Sequence, residues 1–309
     1  MNILITGISG FVGEYMAKLI ANKNPNSKIF GIERNVRRFS VFPELNKKVK
    51  IIECDITNYE SVYNAIKKIK SDQIYHLAGF ASAGGQNKDL IYKINVDGTR
   101  NLLKSIQIVN NKAKIVLVST SYVYGNTNKP VLESARVNPN GAYAESKLKM
   151  EHMARKEFKN MNIVIVRPVN HSGPGQKLGF VIPDFISQVV NIKSKIINVG
   201  NLKAEREFLD VRDVVSAYYI VMAKGLSHEI YNISRGKTIS IENLLKKIIK
   251  MSGKNLTIKM DIAKAKPIDI KSNSLNSKKI RCLGWKPKYS IDETLKNVFL
   301  FYEKNKVKS

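Results

Sequence analysis

The sequence predicts an α/β protein: a doubly wound parallel sheet with helices on both faces and a smaller C-terminal lobe. Two observations carry this prediction. The chain opens with a short apolar run, residues 2–6, which breaks into a glycine-rich loop and then into an amphipathic helical pattern. Further short apolar runs then alternate with helical patterns, which is typical of βαβ units.

The glycine-rich loop follows the first strand and opens the first helix. Glycines permit a tight turn and a close backbone approach, and a helix N-terminus favours a pyrophosphate. We therefore expect a Rossmann-type domain that binds a dinucleotide here. The residues expected at the coenzyme are Gly7, Ser9, Gly10, Phe11, Val12 and Gly13.

The end of the second strand, residues 28–32, carries conflicting signals about the coenzyme. The carboxylate of Glu33 is placed to accept hydrogen bonds from the adenosine ribose, which favours NAD. Arg34, Arg37 and Arg38 are instead suited to a 2′-phosphate, which favours NADP. We expect NAD(H) or NADP(H), with NAD(H) slightly favoured.

The next two strand ends also predict coenzyme contacts. Strand 49–53 runs into Asp55 and Ile56, which are expected at the adenine; alternatively, Asp55 belongs to the cap of the helix over 59–69. Strand 73–77 ends in small residues that would let the ribose and nicotinamide approach. Its expected coenzyme contacts are Leu77, Ala78 and Gly79, followed by Asn95 in a helix over 88–110.

The chemistry is predicted between residues 118 and 147. Tyr143 and Lys147 lie four residues apart, so they share one face of a helix that starts near Ala142. A nearby positive charge favours a phenolate, which lets a tyrosine exchange protons near neutral pH. Thr120 ends the apolar strand 114–118, at the sheet edge where open α/β sheets bind ligands.

Composition narrows the class of protein. The 309 residues include only two cysteines, which form no metal-ligand spacing, so we expect a cytoplasmic protein without a metal. We expect no signal peptide and no membrane insertion, since no apolar run approaches a span of about 18 residues. The net charge of +27 is spread along the chain without an aromatic-basic stripe, so we expect a lysine-rich surface and no nucleic-acid partner.

The motifs together resemble the extended short-chain dehydrogenase/reductases of the NAD-dependent epimerase/dehydratase family, which act on nucleotide sugars. They are TGISGFVG, HLAG, NVDGT, the hydroxyl-ended strand and Tyr143-Ala-Glu-Ser-Lys147. By this resemblance Tyr143 is the general acid/base and Lys147 holds the nicotinamide ribose and lowers the tyrosine's pKa. Thr120 binds the sugar's C4 oxygen, and Arg167 and Pro168 lie at the coenzyme. Dehydratases of the family carry a carboxylate two positions after this threonine. Ser121 and Tyr122 follow it here, which argues against dehydration.

The second half looks most like the GDP-4-keto-6-deoxy-D-mannose reductases, through RPVNHSGPGQ at 167–176 and EREFLDVRD at 205–213. This similarity implies reduction at C4 of a GDP-linked sugar, in deoxysugar biosynthesis for a surface polysaccharide. Arg206 has its own rationale, because a guanidinium forks onto phosphate oxygens. The implied substrate contacts are Ser82, Ser121, Tyr122, Asn170, Phe180, Val181, Arg206, Lys266 and Asp269.

Other enzymes of the same family are alternatives to a reductase. A C4 epimerase or a GDP-heptose or GDP-mannose-type 4-dehydrogenase would use the same threonine, tyrosine and lysine. A redox-sensing dinucleotide-binding protein would typically lack the tyrosine–lysine pair.

We expect the nucleotide-binding domain over 1–169, with returning segments within 205–235, and the substrate lobe over 170–309. Relatives imply a homodimer through helices near 88–110 and 142–158.

Overall fold

The computed structural model describes residues 1–80, 87–127, 129–261 and 272–305. The predicted substrate residues Ser82, Lys266 and Asp269 lie outside these ranges.

Seven parallel strands form the central sheet, in the order β10-β6-β5-β4-β1-β2-β3. Their bounds are β1 Asn2–Thr6, β2 Lys28–Glu33, β3 Val49–Glu53, β4 Gln73–His76, β5 Lys114–Val118, β6 Asn162–Pro168 and β10 Ile230–Ile233. This arrangement confirms the predicted doubly wound sheet. It also brings β10, from the second half of the chain, beside β6.

Helices cover both faces of this sheet. The helix bounds are α1 Phe11–Lys23, α2 Tyr59–Ile69, α3 Lys88–Tyr92, α4 Thr99–Asn110, α5 Ala142–Glu157, α6 Val181–Asn191, α7 Val211–Lys224, α8 Ile241–Ser252, α9 Lys278–Cys282 and α10 Ile291–Lys304. Neighbouring strand residues face opposite cores, as the two-residue period requires. In β1, Ile3 and Ile5 join the core under α1 and α7, whereas Leu4 joins the core under α2, α4 and α5.

The remaining strands build a smaller region beside the sheet's carboxyl edge. The strands β7 Asn170–Ser172, β9 Glu205–Asp210 and β11 Thr238–Ser240 form one sheet, and β8 Ile196–Val199 pairs with β12 Thr257–Met260. Helices α6, α8 and α10 pack on these strands around a third apolar core. The division of the chain at residue 169 stays a prediction.

The path of the chain creates a crevice at one edge of the large sheet. From β1 the chain runs outward through β2 to β3 and then returns to β4 on the other side of β1. Because successive loops leave β1 and β4 in opposite directions, a cleft opens at the carboxyl ends of these strands. The glycine loop follows β1 at this edge, and Gly79 and Thr120 follow β4 and β5.

Candidate active site

The glycine loop has the backbone geometry that a dinucleotide requires. Gly7 adopts a φ of +69°, and a Cβ atom there would lie 3.0 Å from the backbone of Ala78. A Cβ on Gly13 would lie 2.3 Å from the carbonyl oxygen of Gly7, so only glycine lets α1 approach the loop. Gly10 is the N-cap of α1, and no side chain caps this helix. The exposed N-terminal dipole and the tight loop fit a pyrophosphate.

Glu33 supports the loop from the end of β2. The backbone N–H of Ser9 donates to Oε1 of Glu33 at 2.6 Å, and burial raises the pKa of this carboxyl. Arg34 and Arg37 are exposed beside it. The carboxylate therefore lies at the loop, where an adenosine ribose is expected, while the guanidinium groups extend into solvent.

Asp55 forms a local turn rather than a helix cap. Its Oδ1 accepts hydrogen bonds from the backbone and the hydroxyl of Thr57 at 2.9 and 2.8 Å. The cap of α2 is Asn58, whose side chain accepts from the backbone of Ser61. Ile56 packs on Gly98, where a Cβ would lie 2.8 Å from its Cγ2. This helical glycine therefore packs closely against Ile56.

A chain of buried hydrogen bonds connects β1, β4 and the helix that carries Asn95. The backbone N–H of Ala78 donates to Oγ1 of Thr6, which lies 2.7 Å from Nδ1 of His76. Nε2 of His76 lies 2.8 Å from Oγ1 of Thr99, which donates its single proton to the carbonyl of Asn95. The imidazole must therefore carry its proton on Nε2 and accept at Nδ1. Burial lowers the pKa of His76 to about 3, so the ring is neutral.

Asn95 lies in a π-helical turn, Lys93–Gly98, between α3 and α4. Its Oδ1 accepts from the backbone of Phe80 at 2.8 Å, and its Nδ2 donates to the hydroxyl of Ser146 on α5 at 2.9 Å. Such turns are frequent at functional sites. Gly79 lies against this amide, because a Cβ there would be 2.9 Å from Oδ1 of Asn95 and 3.1 Å from Nζ of Lys147.

Thr120, Tyr143 and Lys147 meet at the carboxyl end of β5. Thr120 caps the 3₁₀ turn Ser121–Tyr124, and α5 begins one residue before Tyr143. Nζ of Lys147 is buried and donates to the carbonyl oxygen of Val118 at 2.9 Å. Burial lowers the pKa of Lys147 to about 8.

The predicted lowering of the tyrosine's pKa is wrong in this structure. Burial raises the pKa of Tyr143 to about 12, and a hydrogen bond with the Thr120 side chain opposes this shift only in part. The physical reason is that removing a phenolate from water costs more free energy than the hydrogen bond from the neighbouring side chain recovers. The phenol is therefore protonated at neutral pH, as a proton donor must be.

The residues after Thr120 place an aromatic hydroxyl next to the predicted catalytic tyrosine. Tyr122 packs edge-on against Tyr143 with ring centroids 6.5 Å apart, and its hydroxyl donates to Oδ1 of Asn170 at 2.9 Å. Ser121 is fully buried. The predicted substrate residues Tyr122 and Asn170 thus share one cluster with Tyr143.

The other predicted substrate residues that the structure describes lie on the smaller region. Asn170 in β7 pairs with Phe208 in β9, and Arg206 precedes Phe208 on the same face of that strand. Phe180 and Val181 begin α6 and are about one-third exposed, at 37% and 38%. The imidazole of His171 braces a loop, because it contacts the carbonyl of Val169 and stacks on Phe11 at the start of α1.

Arg167 requires a correction. Its guanidinium is buried and forms two hydrogen bonds with the carboxylate of Glu151 on α5. The side chain is thus engaged inside the protein and does not face the coenzyme crevice. Only its backbone and that of Pro168, at the end of β6, remain available for the predicted coenzyme contact.

Two other expectations can be compared with the structure. Within the described ranges, no group of three histidine, cysteine or acidic side chains is arranged to hold a metal ion. No helix in the same part of the chain is both long and apolar enough to cross a membrane.

Comparisons with known proteins agree with this geometry. The family model described as GDP-mannose 4,6 dehydratase matches residues 4–298. GDP-6-deoxy-D-talose 4-dehydrogenase of Aggregatibacter actinomycetemcomitans is 33% identical over 263 residues, covering 84% of this chain and 83% of that protein. GDP-6-deoxy-D-mannose reductase of Pseudomonas aeruginosa is 26% identical over 314 residues and 97% of each chain.

The similarity extends to a solved structure with a bound coenzyme. The crystal structure of dTDP-glucose 4,6-dehydratase from Bacillus anthracis in complex with NAD superposes with a TM-score of 0.86 at 25% identity, covering 99% of this chain and 97% of that chain. The chain belongs to the GDP-mannose 4,6-dehydratase family and is an NAD(P)-dependent enzyme of the extended short-chain dehydrogenase/reductases.

Proposed function

We propose that this enzyme transfers a hydride at C4 of a GDP-linked 6-deoxysugar, acting as a reductase of GDP-4-keto-6-deoxy-D-mannose. One observation carries the proposal: a protonated phenol, Tyr143, lies with Thr120 and Lys147 at the edge of the coenzyme crevice. Reduction of a ketone needs a proton donor at the oxygen while a hydride arrives at the carbon. The bound nicotinamide coenzyme supplies that hydride.

Each residue of the trio has a distinct task in this proposal. The Tyr143 hydroxyl donates its proton to the C4 oxygen of the sugar. Thr120, which already bonds to Tyr143, orients the same oxygen. Lys147 has one N–H on the Val118 carbonyl and offers its others to the nicotinamide ribose.

The coenzyme would be held by backbone at one end and by side chains at the other. The N-terminus of α1 and the glycine loop fit the pyrophosphate, and Glu33 fits the adenosine ribose. Gly79 and Asn95 border Lys147 and leave room for the nicotinamide ribose. Asp55, Ile56, Leu77 and Ala78 are proposed to line the crevice between these ends.

Dehydration is disfavoured by the residues that follow Thr120. A 4,6-dehydratase needs a base for the sugar's C5 proton, and the two positions that follow Thr120 hold a buried serine and Tyr122. Tyr122 donates its own proton to Asn170, so its oxygen is left as an acceptor for a sugar hydroxyl. We propose that this pair orients the sugar without removing a carbon-bound proton.

The choice of sugar is supported by the two GDP-sugar relatives. Talose and mannose differ only in configuration at C4, so oxidation at C4 of either 6-deoxysugar yields the same 4-keto compound. We propose that compound as the shared ketone substrate. Arg206 would bind the diphosphate, and Phe180 and Val181 would flank the base.

The second candidate function is the reverse reaction, oxidation at C4 of a GDP-linked sugar. The relative with 33% identity is a 4-dehydrogenase, which favours oxidation of a GDP-6-deoxyhexose or formation of the talose product. A C4 epimerase would use the same trio but would need no added coenzyme.

We also propose that the enzyme is a cytoplasmic homodimer, in which helices α3 to α5 of the two subunits pair.

The test is nicotinamide absorbance with the purified protein, GDP-4-keto-6-deoxy-D-mannose and either NADH or NADPH. We expect coenzyme oxidation in step with the ketone, and NMR coupling at C4 would distinguish the manno product from the talo product. A flat trace with both reduced coenzymes would contradict the reductase proposal. Reduction of the oxidised coenzyme by a GDP-6-deoxyhexose would then support the 4-dehydrogenase direction.

A further inference from the structure

A buried ion pair joins Arg167 on β6 to Glu151, which lies one helical turn after Lys147 on α5. Nε and Nη2 of Arg167 donate to the two carboxylate oxygens of Glu151 at 3.0 and 2.5 Å. The side chains are only 4% and 1% exposed. The mechanism proposed above gives this pair no role, yet both residues are charged and the pair lies in the protein interior.

The position of Glu151 on α5 relates it to the reaction. Tyr143, Lys147 and Glu151 follow one another at steps of four residues, so they form one stripe along the helix. Glu151 is the carboxylate whose charge favours protonated Lys147, against the burial that lowers the pKa of this lysine. The carboxylate and the ammonium nevertheless form hydrogen bonds to other groups, to Arg167 and to the Val118 carbonyl respectively.

Arg167 contacts an aromatic ring as well as Glu151. It extends from β6, and its guanidinium lies over the ring of Tyr124 at 4.7 Å. The Tyr124 hydroxyl donates to Oδ1 of Asn232, a fully buried residue of β10. These contacts hold the guanidinium, and its two hydrogen bonds in turn hold the carboxylate of Glu151.

The free-energy cost of burying charges suggests that this ion pair does more than stabilise the fold. Removing two charges from water is costly, and apolar residues of similar size often replace a buried pair without loss of stability. The other titratable groups near Lys147 do not supply a negative charge: His76 is neutral in its hydrogen-bond chain, and Tyr143 is protonated. Among His76, Tyr143 and Glu151, only Glu151 carries a negative charge that can stabilise the ammonium of Lys147.

We propose that Glu151 and Arg167 are positioning residues for Lys147. Glu151 stabilises the ammonium by its charge from one helical turn away, and Arg167 prevents Glu151 from capturing that ammonium in a direct salt bridge. Lys147 thereby stays charged and keeps N–H groups available for the coenzyme ribose. This inference rests on the proposed function for the task of Lys147, but its first test needs no substrate.

The two single variants should shift the pKa of Lys147 in opposite directions. In Glu151→Gln the ammonium loses its counter-charge while Arg167 remains, so we expect the pKa of Lys147 to fall by about one unit. In Arg167→Met the freed carboxylate can bond to Lys147, so we expect that pKa to rise. The double variant removes both charges, and its pKa should lie between that of wild type and that of Glu151→Gln.

The measurement is 13C NMR of lysine Cε groups as a function of pH in the coenzyme-free protein. The Lys147 signal is assigned by its loss in Lys147→Met. The control is Glu229→Gln, which removes a carboxylate from a surface salt bridge with Lys279 and should leave the Lys147 titration unchanged. If a single variant fails to fold, the double variant, which leaves no unpaired buried charge, still tests the downward shift.

Kinetics supply the second measurement. The alkaline limb of kcat/KM should move to lower pH in Glu151→Gln and to higher pH in Arg167→Met, with a kcat loss of about tenfold in the latter. Unchanged Lys147 titration in folded variants, with only a lower melting temperature that the double variant restores, would overturn the proposal. Absence of turnover with GDP-sugars would refute the proposed function while leaving the NMR result valid.

Discussion

Adding a single methyl group at Gly79 should slow the reaction about tenfold without unfolding the protein. The new Cβ would lie 2.9 Å from Oδ1 of Asn95 and 3.1 Å from Nζ of Lys147, so these atoms must withdraw by about 0.3 to 0.5 Å to reach ordinary contact at 3.4 Å. Asn95 cannot move freely, because Phe80 and Ser146 hold its amide. A displacement of 1 Å can cost about 100-fold in rate, so half of that predicts about tenfold in kcat.

The assay compares kcat and the melting temperature of Gly79→Ala with those of wild type and Gly253→Ala. Gly253 ends α8 with a φ of +65°, and a Cβ there would meet no atom within 4 Å. Its alanine variant should lose about 1–2 kcal/mol of stability through backbone strain and keep wild-type kcat. A Gly79→Ala enzyme with kcat within twofold of wild type would refute the placement of Lys147 against this glycine.

Three further predictions concern the same site. Tyr143→Phe should lose about 10² to 10⁴ in kcat, because only the proton donor is removed; calorimetry should show unchanged coenzyme affinity, and near-normal turnover would contradict its role. Glu33→Ala should raise the Kd for NADH by about tenfold or more, since a charged hydrogen bond is worth about 1.5–3 kcal/mol; an unchanged Kd would exclude a ribose contact. The rate of reduction should fall as pH rises through about 8, because Lys147 acts as a cation and its pKa is lowered to that value; a rate that rises across this range would contradict the assignment.

The alternation of apolar runs and glycine loops predicted the fold well. Five-residue strands such as Asn2–Thr6, Val49–Glu53 and Lys114–Val118 begin and end where the sequence pattern indicates. The reason is local: β1 and β5 lie inside the sheet and are largely buried, so they are mostly apolar, whereas the edge strand β3 keeps Lys50 and Glu53 exposed. The helix over 88–110 is also present, but its π turn at Lys93–Gly98 was not predicted.

The parts that sequence reasoning missed depend on contacts between distant segments. His76 lies in the HLAG motif, but its tautomer follows from Thr6 and Thr99, which lie 70 and 23 residues away, and its neutral state follows from burial. Arg167 was predicted at the coenzyme, and nothing in its local sequence indicates that Glu151 holds it inside the protein. The balance between burial and charge at Tyr143 likewise depends on the folded environment, so the sign of its pKa shift could not be read from spacing.

The central claim is that the site at Tyr143 moves a hydride to C4 of a 4-keto sugar. The most direct measurement uses reduced coenzyme carrying deuterium at C4 of its nicotinamide ring, with GDP-4-keto-6-deoxy-D-mannose, and locates the label in the product by NMR. We expect deuterium at C4 of the sugar with the wild-type enzyme and negligible transfer with Tyr143→Phe. Deuterium at any other carbon, or equal transfer by the variant, would contradict the account.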